Sequence, residues 1–95
     1  VVGILRLDFR VPGSRSLKEK RSVVRSFLER ARNRYPVSIA ETGYQEDHSL
    51  ASVTAAVVSA RPDGADEVID SLVNLLEENY DVVILHADGE ISEGE

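Results

Sequence analysis

The chain reads as an α+β protein in which four strands and two helices follow one another as βαββαβ. Three observations predict this. A period-two apolar pattern fills the first eleven residues, two long segments repeat apolar residues every three to four positions, and Pro- or Gly-containing clusters fall between segments. A length of 95 residues supplies one modest core and not two, so the expected organisation is a single domain over residues 1–95.

Residues 1–11 alternate, with Leu5, Leu7, Phe9 and Val11 on one side and Ile4, Arg6, Asp8 and Arg10 on the other. That is a half-buried strand, and Pro12-Gly13 stops it. Ser16-Leu17-Lys18-Glu19 fits a capping box, in which the Ser16 hydroxyl and the Glu19 carboxylate satisfy free backbone N–H groups at a helix start. The helix is expected over 17–35. Leu17, Val23, Val24, Phe27, Leu28, Ala31 and Tyr35 share one face, Lys18, Arg21, Arg25 and Arg32 the other, and Pro36 ends it. Residues 37–44 and 50–60 read as a hairpin of two strands joined by Gln45-Glu46-Asp47-His48-Ser49. Pro62-Asp63-Gly64 opens a second helix, with Asp63, Asp66 and Glu67 near its positive end and Asn79-Tyr80-Asp81 closing it. Val82-Val83-Ile84-Leu85 begins a fourth strand, and the acidic tail 89–95 is expected to fray. Two right-handed crossovers then place both helices on one face of a four-stranded antiparallel sheet, the ferredoxin-like arrangement.

Composition narrows the chemistry. The absence of cysteine excludes disulfides, thiol nucleophiles, zinc ribbons and iron–sulfur ligation, and with the lack of a signal-like N-terminus it points to the cytosol. No apolar run reaches the length of a membrane span. The net charge of −6 conceals a division: residues 1–36 hold ten Lys/Arg against three acids, a balance of +7, whereas residues 37–95 hold Arg61 against 14 acids, a balance of −13. Such a split signals an anionic partner, self-association of unlike patches, or two helices of opposite sign.

The first helix concentrates the positive charge. Lys18, Arg21, Arg25 and Arg32, with Arg15 just before it, are spaced to track phosphates. The competing reading is neutralisation by the second helix, with its Asp63, Asp66, Glu67, Asp70, Glu77 and Glu78. Lys20 belongs to the same cluster, yet its wheel position lies over the apolar face, where a stem packs and a head snorkels out. Gly13-Ser14-Arg15-Ser16 precedes a helix N-terminus, but a lone glycine without Walker spacing reads as a cap. His48 and His86 lack the converging ligands of a metal site. Acylphosphatases share the topology and use an asparagine on a late strand, whereas Asn33, Asn74 and Asn79 all fall in expected helices. The third strand carries no aromatic residue, which argues against base stacking on the sheet. Ile4, Thr54, Ala56, Val58, Val82 and Ile84 are expected to form an uncovered, mildly apolar sheet face suited to a homodimer.

Val2-Gly3-Ile4-Leu5-Arg6-Leu7, Pro12-Gly13-Ser14-Arg15-Ser16-Leu17-Lys18-Glu19-Lys20-Arg21 and Val37-Ser38-Ile39-Ala40-Glu41 resemble the YlxP-like family, a bacterial family of unknown function. The resemblance implies the ferredoxin-like fold. Genes of the family tend to lie near those for translation initiation factor two and a ribosome-binding factor, which implies a role around the ribosome or its maturation. Where the family often has Gly-His-Gln-Asp followed by an aromatic, this chain has Gly43-Tyr44-Gln45-Glu46-Asp47-His48. The expectation is a non-enzymatic accessory protein, without cofactor, metal or evident small-molecule substrate. It would bind ribosomal RNA or a ribosomal protein through Arg15, Lys18, Lys20, Arg21, Arg25 and Arg32, with a protein-interaction module or homodimer as the alternative.

Overall fold

A computed structural model describes residues 1–93. The elements are β1 (Val2–Arg10), α1 (Leu17–Arg34), β2 (Val37–Gly43), β3 (Leu50–Val58), α2 (Pro62–Asn79) and β4 (Val83–Ser92). The strands form one sheet in the order β2-β3-β1-β4, every neighbouring pair antiparallel. This is the ferredoxin-like α+β fold that the element order predicts.

The alternation along β1 carries the core. Leu5, Leu7 and Phe9 are buried with Val53, Ala55 and Val57 of β3, and both helices cover this side through Val24, Phe27, Ala31, Ala65, Ile69, Leu72, Leu75 and Leu76. Phe27 lies at the centre, its ring edge-to-face with Phe9 at 6.4 Å and with Tyr80 at 6.1 Å. Gly3 lets α2 sit close to the sheet, since a Cβ there would lie 2.9 Å from Val57 Cγ1 and 3.2 Å from Ile69 Cδ1. Gly13, at φ +78°, makes the turn that leads into α1.

Three expectations need correction. The capping box forms only by half: Ser16 Oγ accepts the Glu19 N–H at 3.1 Å, but the Glu19 carboxylate accepts the N–H of Arg15 at 2.6 Å, one residue before the cap. The tail does not fray at Gly89. β4 continues to Ser92, opposite Val2, because Ile91 packs on the core and the backbone pairs with β1 throughout; Gly94 and Glu95 lie outside the described residues. The open sheet face also differs. A register shift opposite Asp8/Phe9 turns Ile84 toward the core, against which Val82 also packs, and leaves Val83 and Leu85 exposed. That face then carries Val2, Ile4, Ala56 and Val58 at one end and Val83 beside Arg10 at the other, with Arg6, Asp8, His86 and Asp88 at neighbouring cross-strand positions between them.

The strand order separates the charges. α1 packs over β2 and β3, α2 over β1 and β4, so the basic helix flanks one edge of the sheet and the acidic helix the other.

Candidate nucleic-acid interface

The outward side of α1 is built by helix periodicity. With Val24, Phe27 and Ala31 turned into the core, Lys18, Arg21, Arg25 and Arg32 are all exposed, and so is Arg15. Lys18, Arg21, Ser22 and Arg25 line a shallow depression of about 420 Å³. Arg21, Val24, Arg25, Leu28, Arg32 and Glu41 line an adjoining groove of about 320 Å³ between α1 and β2. Arg21 and Arg25 belong to both, so the concavities form one basic surface.

Among the described residues the ion pairs are Arg6–Asp8, Lys20–Glu41, Arg21–Glu46 and Arg61–Asp63, and none joins α1 to α2. The Arg21–Glu46 pair is long, 3.9 Å, between side chains that are 48% and 89% exposed, a geometry that contributes little. Arg32 is partly committed: Nη2 donates to the carbonyl of Ile39 on the outer strand β2 at 2.7 Å, while a guanidinium has five donors. Arg30 and Arg34 turn elsewhere, over the rings of Tyr80 and Tyr35.

Lys20 is the correction. It is wholly buried and takes no part in the outer surface. Its Nζ donates to Glu41 Oε2 at 3.0 Å, to the Tyr44 carbonyl at 2.8 Å and to the Leu50 carbonyl at 3.1 Å, which uses all three ammonium donors. The stem follows the apolar face as its wheel position requires, but the head ends inside the fold and does not snorkel to solvent. Its contribution to the groove is indirect. Glu41 is the one acid among the groove residues, and Lys20 pairs with it from below.

The same ammonium ties α1 to the β2–β3 connection. Tyr44 there has φ +58°, a left-handed conformation that costs a residue with a Cβ roughly 1–2 kcal/mol. Its carbonyl accepts both from Lys20 Nζ and from the Asp47 N–H at 3.0 Å, which fixes the turn. Asp47 closes the other end: Oδ1 accepts the N–H of Leu50 at 2.7 Å, the N–H of Ser49 at 2.8 Å and the Ser49 hydroxyl at 3.2 Å. Neither the Lys20 tie nor the Tyr44 conformation announces itself in the sequence; the only signal is a lysine at a core position of the wheel.

These backbone bonds, that of Leu50 foremost, hold the Asp47 carboxyl below the ordinary aspartate value of 3.8. A carboxyl depressed in the folded state stabilises it above that value and ceases to do so as pH falls through the lower folded one. We therefore expect the protection of the Ser49 and Leu50 amides against exchange, relative to the intrinsic rate at each pH, to fall as pH drops below about 3.8, beyond any global effect, and Asp47→Asn to remove this acid-dependent component. A loss of protection that persists unchanged in the variant would place its origin elsewhere.

The histidines do not converge with other ligands, and no group of three His, Cys, Asp or Glu suited to a metal occurs among the described residues. Asn33, Asn74 and Asn79 lie in helices, where the sequence places them. No helix among the described residues is long and apolar enough to cross a membrane.

A family model described as a protein of unknown function, DUF503, matches residues 2–88. The chain belongs to the DUF503, or YlxP-like, family. This DUF503 protein is 37% identical over 60 residues to the uncharacterized protein YlxP of Bacillus subtilis (strain 168), a match that covers 63% of the chain. The chain covers 65% of that relative, just under two thirds of its length. Among solved structures, the de novo designed protein Foldit4 is similar with a TM-score of 0.57, over 98% of the DUF503 chain and 100% of the designed one. At 11% identity that likeness is one of fold alone.

Proposed function

We propose that the chain is a non-enzymatic accessory protein that binds RNA or a ribonucleoprotein through Arg15, Lys18, Arg21, Arg25 and Arg32. The observation that carries this reading is the outward basic surface of α1: a row of exposed cations with no carboxylate of α2 within ion-pair distance, on a protein whose net charge is −6. A surface that served only folding would pair these groups internally, whereas phosphate binding requires them outward and side by side. The family likeness suggests the ribosome or its maturation as the setting, and the absence of cysteine suggests the cytosol as the compartment.

The test is binding of a structured RNA across a salt series. Contact by four or five cations predicts a log–log slope of roughly −4, and Arg21→Glu/Arg25→Glu is expected to flatten it by about 2 as well as weaken binding. No binding at low salt, or equal binding by the charge-reversed variant, removes the reading.

A second reading, a homodimer, rests on the apolar end of the open sheet face, where Val2, Ile4 and Val58 are exposed, Val58 to 75%. Light scattering on a Val58→Glu variant separates the two: it disrupts a dimer built on that face and leaves α1 untouched.

A further inference from the structure

We infer that Tyr44 is a base-stacking platform at the end of the basic surface, and that the ligand class is single-stranded or looped-out RNA with unpaired bases. This deepens the function proposed above and rests on it.

Of the five aromatic residues, Phe9 and Phe27 are fully buried, and Tyr35 and Tyr80 pack against the core. Tyr44 alone stands out, half exposed, on the connection beside the N-terminal half of α1. Its neighbour Glu46 reaches Arg21, and Glu41 at the foot of the same connection lines the groove with Arg21, Arg25 and Arg32. The residue that carries this ring therefore sits on the connection that borders the row of cations on α1. That pairing is the one by which proteins hold unpaired nucleotides: cations follow the backbone while a ring receives a base.

The backbone points the same way. A left-handed turn residue is ordinarily glycine or asparagine, and a tyrosine kept there is held by its surroundings. Here they are the buried Lys20, bonded to the Tyr44 carbonyl, and the Asp47 N–H on the same oxygen. The residue nevertheless stays half exposed. Lys20 is thus a positioning residue, which fixes the platform without touching the ligand. The acids of the connection oppose a polyanion, and the weak Arg21–Glu46 pair has to open before Arg21 can meet a phosphate.

The experiment compares a single-stranded RNA of about ten nucleotides with a duplex RNA of matched phosphate count, each titrated against the wild-type chain, Tyr44→Gly, Tyr44→Trp and Arg21→Glu/Arg25→Glu. Tyr44→Gly removes the ring while relieving the backbone, so its thermal midpoint should not fall. Its affinity for the single strand should drop roughly 5- to 100-fold with the salt slope unchanged, and Tyr44→Trp should retain binding. Duplex affinity should be insensitive to both changes at Tyr44. Equal single-strand binding by Tyr44→Gly and wild type, with Arg21→Glu/Arg25→Glu still impaired, overturns the platform and leaves the RNA reading standing. Absence of binding to either RNA overturns both.

Discussion

Lys20→Met is expected to destabilise the protein by about 3–5 kcal/mol, measured by urea or guanidinium unfolding. The change keeps the apolar stem and deletes only the ammonium. It strands three acceptors, Glu41 Oε2 and the carbonyls of Tyr44 and Leu50, in a position where Lys20 itself is wholly buried. Glu41 is 17% exposed, so water reaches part of its carboxylate and the loss falls toward the lower end of that range. Small domains are stable by about 5–15 kcal/mol, and this one side chain therefore governs a large share of the total. Adding Glu41→Leu should recover part of the loss, because the uncompensated charge disappears with it. Equal stability of Lys20→Met and the wild type would show that the ammonium contributes no more than its desolvation costs.

Phe27→Ala should be of comparable size, about 3–5 kcal/mol, from lost transfer energy and the cavity left behind. Phe27 is fully buried and edge-to-face with both Phe9 and Tyr80, so it joins β1, α1 and the end of α2 at one point. Collapse around the missing ring would require the two helices to move relative to the sheet, and close packing resists that. Phe27→Leu fills much of the space and should cost clearly less. A loss below about 1 kcal/mol for Phe27→Ala would mean that the core closes over the gap.

The fold was legible because its signals are local and repetitive. The alternation Leu5, Leu7, Phe9 sets the buried face of β1, and the 3.6-residue recurrence of Val24, Phe27 and Ala31 sets the inner face of α1. The same recurrence puts Lys18, Arg21, Arg25 and Arg32 outward together, so most of the basic surface is legible in the sequence. What could not be read depends on partners distant in the chain. Lys20 meets Glu41, Tyr44 and Leu50, which are 21 to 30 residues away, and a helical wheel shows that it points inward but not that acceptors await it. The β4 register shift depends on pairing with β1, so the segment Val82 to Leu85 taken alone does not show that Ile84 faces the core. The Tyr44 conformation arises where that lysine, a turn and Asp47 meet, a combination with no sequence pattern of its own.

The placement of α1 and α2 over opposite edges of the sheet has a consequence for how the molecule meets a charged object. Its monopole is negative, −6, and at long range it is pushed away from any polyanion. Its dipole runs across the sheet from the acidic flank to the basic one, and within about a Debye length, roughly 8 Å at physiological ionic strength, it is the near flank that is felt. An approach led by α2 is repelled, and one led by α1 is drawn in. The same charges that make the protein acidic therefore favour orientations in which α1, and not α2, faces an anionic surface.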